Sequence, residues 1–298
     1  MTKRSIQVAA HAKTNLFLHV LAREESGYHG IETLFALLEL HDKINLETIQ
    51  DGVELTVEGA DTGPTQENLV YRAAVAALDA ANASFGVRVH LEKTIPVQAG
   101  LGGGSSDAAA TLIAVNMLAD EVLSQHELFG LASALGSDVP FFVSGAAFAL
   151  AWGRGERLLE IPGPGSAPAL VVVPDFGIST AEAYRDLAAD RVGSDAPRSR
   201  SLFLNDLCDW GRISELSAND FEKVLGNRAP ELEGILAQLR QTNPILARLC
   251  GSGSAILAVY EKETDRDAAR AQMSAQNASI ATSIRSDRAS FQDRAQTM

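Results

Sequence analysis

Alternation of polar and apolar residues dominates the start of the chain. Ile6 to Ala10 and Leu16 to Ala22 have the β-branched and aliphatic content of strands, separated by short polar breaks. Ile31 to Leu40 is a long apolar run that periodicity alone leaves open between strand and helix. DKINLETI alternates again and predicts a strand, continued over Gly52 to Glu58. Asn68 to Ala83 is rich in alanine, with Leu69, Ala73, Ala76 and Ala77 on one face, and predicts a helix. Val87 to Glu92 predicts a strand. Ser106 to Leu118 predicts a helix with an apolar stripe of Ala109, Leu112, Ile113 and Met117. Ser124 to Leu135 comes next as a helix, opened by a capping box of Ser124 and Glu127.

After the GPGSAP turn at residues 163–168, the natural boundary between two halves, Ala169 to Val173 predicts a buried strand. Ser179 and Glu182 mark a further helix through Tyr184. Pro230 opens another, carrying Leu232, Ile235, Leu236 and Leu239. AILAVY at 255–260 predicts a strand and Asp265 begins a polar helix. The segment from Arg285 is polar, mixes both signs of charge and is expected to be loose. Strands and helices mix without regular βα alternation, which predicts an α+β fold with domains at 1–162 and 163–298.

The 298 residues are 46% hydrophobic and 21% charged, enough to bury a substantial core. A formal net charge of -13 repels polyphosphate backbones, so nucleic acid is not an expected partner. No apolar run approaches the roughly 18 residues of a membrane span, and the first fifteen residues lack a signal peptide's apolar stretch. Cys208 and Cys250 lie far apart without metal spacing and are expected as reduced thiols in a cytoplasmic protein. His11, His19, His41, His90 and His126 likewise show no metal-ligand spacing.

One segment carries chemistry. Pro96-Val-Gln-Ala-Gly-Leu-Gly-Gly-Gly-Ser-Ser-Asp107 places four glycines within five residues, between a predicted strand and a predicted helix. Glycine lets backbone approach a ligand closely, and a helix start offers free N–H groups and the positive dipole end. Together they form a phosphate cradle. Ser105 and Ser106 are expected to cap the helix and donate to phosphate. A Walker loop is excluded because no Gly-Lys-Ser/Thr closes the segment. A dinucleotide fingerprint is excluded because Ser105 stands where its third glycine belongs. Asp175-Phe-Gly177 lacks an upstream His-Arg-Asp partner and is read as coincidence.

This loop resembles the second signature of the GHMP kinases. Ala12-Lys13-Thr-Asn15-Leu-Phe-Leu18 resembles the first, and Cys250-Gly-Ser-Gly-Ser-Ala255 the third. Ser26-Gly-Tyr28-His29, Glu32-Thr33-Leu-Phe35, Glu67-Asn68-Leu-Val-Tyr-Arg72, Gly136-Ser-Asp138-Val-Pro140 and Asn219-Asp220-Phe221-Glu222 resemble the branch of that family whose acceptor is a cytidine-diphosphate-linked methylerythritol. The matching blocks span about residue 9 to residue 260. One departure is Gln98, where the family usually has a small residue, often glycine.

The resemblance implies a two-domain GHMP kinase fold, with an N-terminal ribosomal-protein-S5-like domain and a C-terminal ferredoxin-like α/β sandwich. It implies an ATP-dependent enzyme with Mg2+, acting on a small molecule as a monomer or homodimer. ATP would be bound by Pro96, Val97, Gln98, Ala99, Gly100, Leu101, Gly102, Gly103, Gly104, Ser105 and Ser106. Lys13 and Asp138 would be catalytic, Asp138 accepting the hydroxyl proton and Lys13 stabilising developing charge. Pro140 is expected to hold Val139 extended and so fix the turn presenting Asp138. Asn15 would position the erythritol part. Tyr28, His29, Phe35, Thr180 and Tyr184 would hold the cytidyl handle, though Phe35 fits core as well as pocket and Tyr184 fits packing as well as stacking. Asn219-Asp220 is expected to shape a turn. Another GHMP kinase activity, such as homoserine phosphorylation, is the second reading. A non-catalytic nucleotide-binding protein is the third, disfavoured by the presence of both Lys13 and Asp138.

Overall fold

The long antiparallel pair of β1 (Arg4–Arg23) and β2 (His29–Ile49) is the spine of the protein. In the computed structural model, residues 3–23, 29–190, 202–225, 229–289 and 295–297 are described. The open run at Ile31 to Leu40 is strand, because β2 is paired on both sides and its apolar residues face packed layers. The register of the pair shifts between His11 and Lys13 and again between Asn15 and Phe17. Such irregularities re-aim side chains, and here Lys13, Thr14 and Asn15 are all buried in succession.

β3 (Val53–Glu58) pairs in parallel with β4 (Gly86–Glu92) across α1 (Leu69–Ala80). Asn68 caps α1 by accepting the Val70 N–H at 2.9 Å. Next come α2 (Gly103–Leu118), α3 (Gln125–Leu135) and the short α4 (Val139–Ser144). The Ser124–Glu127 capping box forms as expected. The hairpin β5 (Phe148–Gly153) and β6 (Arg157–Glu160) then returns to β2, with Ile31 opposite Gly153 and Ala36 opposite Phe148.

α2 is buried on nearly every side rather than along one stripe. It lies between the sheet and the other helices, with Ala108, Leu112 and Val115 packed against Ile44, Val89 and the alanines of α1. A helix of small and apolar residues all round suits such a position.

The second half comprises β7 (Ala167–Val173), α5 (Thr180–Asp190), α6 (Trp210–Leu216), α7 (Glu222–Leu225), α8 (Pro230–Arg240), β8 (Leu246–Leu249), β9 (Ile256–Val259), α9 (Glu263–Gln272) and β10 (Ala278–Ile284). Its strands pair antiparallel in the order β10-β7-β9-β8, and Ile284 bridges to Leu38 of β2. Leu232, Ile235, Leu236 and Leu239 are buried on α8, as their spacing requires. A shared apolar core of Leu16, Leu34, Leu38, Val171, Leu257 and Ile284 joins the halves. Among the described residues no helix is long and apolar enough to cross a membrane.

The expectation of a loose tail from Arg285 is corrected for residues 285–289 and 295–297; residues 290–294 and 298 lie outside the described residues. The Arg285 N–H donates to the Leu37 carbonyl at 2.9 Å, its guanidinium pairs with Glu39, and Arg288 Nη2 donates to the Ser144 carbonyl at 2.6 Å. β11 (Ala295–Thr297) pairs with Arg4–Ile6 of β1. Arg285 and Arg288, two of the polar residues that made this segment read as loose, are the groups that fasten its described part.

Candidate active site

The glycine segment links β4 to α2. Helix α2 begins at Gly103, three residues earlier than Ser106, and Gly102 is its N-cap in the left-handed region at φ 71°. The Ser106 N–H bonds back to the Gly102 carbonyl, so the N–H groups of Gly103, Gly104 and Ser105 precede the first intrahelical bond. Among the described residues no side chain caps this end. The expected serine cap is therefore corrected: Ser105 and Ser106 already lie within the helix, and the first-turn donors are left for a ligand. With the helix dipole behind them they make an anion cradle.

Close approach dictates glycine at two positions. A Cβ on Gly102 would fall 2.9 Å from both Lys13 Cγ and Phe142 Cζ. At Gly100, φ is +79° and a Cβ would fall 2.0 Å from the Cys250 carbonyl oxygen. Gly100 thus touches the second glycine loop, and the Ala255 N–H donates to the Ala99 carbonyl at 3.1 Å. Ala99 and Leu101 point into the core, Pro96 is half-buried, and Val97 and Gln98 are exposed on the approach to the loop. Gln98 takes φ 55°, a region that glycine enters without strain.

The loop borders a cavity of about 1200 Å³ that draws its walls from both halves. Lys13, Asn15, Asp138, His29, Phe35, Thr180 and Tyr184 all line it, together with Gly100 and Gly102. Tyr28 lies outside the described residues.

Lys13 Nζ stands 3.4 Å from Asp138 Oδ2 and donates to Asn15 Oδ1 at 2.9 Å. It also lies 5.0 Å from the centre of the Phe35 ring, a cation–π contact. Phe35 is 1% exposed and packs on Phe141, so it serves core and cavity wall together. Asn15 turns its nitrogen to Thr33 Oγ1 at 2.8 Å, and the Thr33 hydroxyl donates to the Phe17 carbonyl at 2.6 Å. Both ends of the Asn15 amide are therefore engaged within the protein, and a buried relay from Phe17 to Lys13 fixes the ammonium.

Asp138 caps α4 in the right-handed region without a side-chain cap bond, which leaves its carboxylate to Lys13 and the cavity. The expectation that Pro140 holds Val139 extended is corrected. Val139 opens α4, and Pro140 occupies the first turn, where its missing N–H costs no helix bond.

On the opposite wall, the His29 and Tyr184 rings stack at 5.5 Å and 22°. Tyr184 also meets Phe221 edge-on at 4.9 Å. Burial, then the Asp138 carboxylate, push the Tyr184 phenol up to about 12, so it keeps its proton at neutral pH. The Thr180 and Ser252 hydroxyls are 2.9 Å apart, joining α5 to the second glycine loop. Asn219-Asp220 does more than shape a turn. Asn219 Nδ2 donates to the Leu249 and Gly251 carbonyls, and Asp220 Oδ2 accepts the Val20 N–H, stapling that loop and β1 together.

Sequence reasoning gave no role to Thr33, Ser252, Arg154 or Arg157, all near this site. A threonine inside an apolar strand was a usable signal for Thr33. Nothing local marked the arginines, whose value comes from the fold bringing them to one cavity.

The N-terminal GHMP kinase family profile matches residues 68–146 and the C-terminal GHMP kinase profile matches residues 200–279. A 4-diphosphocytidyl-2-C-methyl-D-erythritol kinase of Solibacter usitatus is 38% identical over 271 residues, covering 90% of this chain and 84% of the relative. The chain belongs to this family of GHMP kinases. A crystal structure of a 4-(cytidine 5'-diphospho)-2C-methyl-D-erythritol kinase superposes with a TM-score of 0.80 at 34% identity, covering 94% of this chain and 99% of that one. A homoserine kinase from Cytophaga hutchinsonii, at 17% identity and a TM-score of 0.67, shares the fold. Membership makes the protein a small-molecule kinase that uses ATP, on the two-domain GHMP architecture.

Proposed function

We propose that this chain transfers the γ-phosphoryl group of ATP to the 2-hydroxyl of 4-diphosphocytidyl-2-C-methyl-D-erythritol, in the non-mevalonate route to isoprenoids. The observation that carries this is the Lys13–Asp138 pair, set in one cavity between the glycine loop and the His29–Tyr184 stack. Residues 96–106 would hold the triphosphate through the free N–H groups of α2. The cytidine ring would lie against the aromatic pair, with Thr180 beside it. Stacking of this kind contributes roughly 1–3 kcal/mol per base. Arg154, Arg157 and Arg185 line the same cavity and suit the diphosphate of the acceptor.

In the transfer, the acceptor oxygen bonds to the γ-phosphorus as the bond from that phosphorus to the bridging oxygen breaks. The hydroxyl proton passes to Asp138 and ADP leaves with the bridging electrons. Lys13, 3.4 Å from the Asp138 carboxylate, lowers the cost of charge on the transferring group. Because the transition state of such transfers is loose, fixed positions matter as much as basicity.

Mg2+ belongs to this reading. Among the described residues no group of three His, Cys, Asp or Glu is placed to hold a metal. Two carboxylates, Asp138 and Glu156, and several hydroxyls lining the cavity suit an ion carried mainly by the nucleotide, and Asp138 would be its protein partner. When bound, it would supply charge neutralisation. A free-thiol state of Cys208 and Cys250 suits a reducing, cytoplasmic setting. The net charge of -13 weighs against a nucleic-acid partner, and the enzyme would work as a monomer or homodimer. Residues 1–162 would carry the nucleotide loop and 163–298 the facing wall.

The test is an ADP-release assay comparing the cytidyl acceptor with homoserine and mevalonate. Turnover confined to the cytidyl compound is expected; preference for either alternative overturns the substrate assignment. Asp138→Asn should keep ATP binding and lower kcat by about 100-fold or more, and turnover at the parent rate would remove Asp138 as the base.

A further inference from the structure

Outside the reaction cavity, three charged side chains form a buried chain against the glycine loop. Lys93 Nζ donates to Asp42 Oδ2 at 2.5 Å and to Asp107 Oδ2 at 2.8 Å. The Lys93, Asp42 and Asp107 side chains are 3%, 0% and 3% exposed. Asp42 Oδ1 accepts the N–H groups of Thr94 at 2.5 Å and Ile95 at 2.7 Å. A Cβ on Gly103 would lie 3.2 Å from Lys93 Nζ. The chain therefore grips the loop at both ends: Thr94 and Ile95 where it leaves β4, and Gly103 to Asp107 where it enters α2. Three ionised groups with one positive charge are an expensive thing to bury, and packing alone does not call for them.

Asp107 Oδ1 is buried and has no hydrogen-bond partner among the described residues. An ionised carboxylate oxygen left bare in the interior is strongly disfavoured. Burial pushes the Asp107 carboxyl up to about 8, against the pull of Lys93 and helped by Asp42. Lys93 stays charged because Asp107 and Asp42 together outweigh the effect of its own burial. The helices packed on α2 share an apolar core with it, among them Ala73 and Ala77 of α1, Leu128 and Ala132 of α3, and Phe141 and Phe142 of α4. From β1, Lys13 lies against Gly102 at the helix start.

We propose that Lys93, held between Asp42 and Asp107, is a positioning residue for phosphoryl transfer: it sets the spacing of the loop's free N–H groups, while a proton on Asp107 Oδ1 keeps net negative charge from beneath the triphosphate. This rests on the reading of residues 96–106 as the nucleotide cradle. Loss of the proton leaves two carboxylates against one ammonium and places a net negative charge beside an anion site. ATP affinity then falls, and acceptor affinity, governed by the far wall, does not.

The test is steady-state kinetics on the full-length enzyme with ATP and the cytidyl acceptor varied separately. Lys93→Met should raise the KM for ATP about tenfold and leave the KM for the acceptor within about twofold; equal rises would overturn the positioning role. In the parent, the KM for ATP should climb by about threefold or more from pH 7 to pH 9. Asp107→Asn, which retains an oxygen for Lys93 but cannot ionise, should flatten that climb. A flat parent profile, or a climb that survives in Asp107→Asn, would overturn the charge argument, and this arm decides the matter should Lys93→Met fail to fold. Gly102→Ala separates the layers of reasoning. If it binds ATP as the parent does, the cradle reading itself fails. If it loses ATP while Lys93→Met does not, the inference alone fails.

Discussion

The two glycine loops look alike in sequence and do different work in the structure. Residues 100–104 lead into a helix of sixteen residues, so their backbone donors are left open and aligned with a dipole. Residues 250–255 join β8 to β9, start no helix, and have the Gly251 carbonyl, with that of Leu249 just before them, claimed by Asn219. Glycine in the first loop makes room for Lys13, Phe142 and the second loop, since a Cβ on Gly100 would fall 2.0 Å from the Cys250 carbonyl oxygen. Glycine in the second answers it, since a Cβ on Gly251 would fall 3.3 Å from the Gly100 carbonyl oxygen, and the Ala255 N–H donates to the Ala99 carbonyl. A glycine cluster thus signals close approach, and the next element along the chain decides whether a ligand or another piece of backbone does the approaching.

Substitutions can break this division of labour. The largest effect is expected from Gly100→Ala, whose methyl would occupy the Cys250 carbonyl while taking a positive φ. We expect a loss of about 3 kcal/mol or more in stability, read from chemical denaturation. An unchanged midpoint would mean the loops are not in contact in solution. Gly102→Ala should cost about 1–2 kcal/mol of stability through its positive φ and raise the KM for ATP by about 100-fold, by pressing on Lys13 and Phe142 and distorting the helix start. Asn219→Ala removes two buried donor contacts from the second loop. A stability loss of about 2 kcal/mol should result, with a smaller change in ATP affinity than either glycine variant. If ATP affinity collapses instead, the second loop is part of the cradle rather than its brace.

Proton linkage sharpens the comparison, because the first loop rests on a titrating group. The folded Asp107 carboxyl, at about 8 against an ordinary value of 3.8, holds a proton that the unfolded chain releases. Stability should therefore fall as pH rises between those values and level off above them. Thermal melts of Asp107→Asn should show a shallower fall than the parent from pH 6 to pH 9. The smallest effect is expected from Gln98→Gly, which relieves a left-handed residue at φ 55° but loosens the unfolded chain, for a net gain of no more than about 1 kcal/mol.

The sequence exposed the elements whose period or capping is local. The Ser124–Glu127 box, the α8 stripe and the signature blocks around Lys13 and Asp138 could all be read directly. What escaped depended on the fold. The start of α2 was misplaced because Gly103 and Gly104 are poor helix formers, yet tertiary burial of the alanines after them carries the helix through. Arg285 and Arg288 read as solvated until the fold brought Glu39 and Glu160 to meet them. Asp42 sits on β2, Lys93 just past the end of β4 and Asp107 on α2, and no spacing rule could have joined them.

One backbone contact has reach beyond its size. The Lys13 N–H donates to the Leu101 carbonyl at 2.9 Å, while the same residue's ammonium reaches Asp138. A single amino acid is thus a ruler between the glycine loop and the proposed base: its main chain is pegged to one and its tip to the other. Inserting or deleting one residue nearby in β1 would shift both marks on that ruler together.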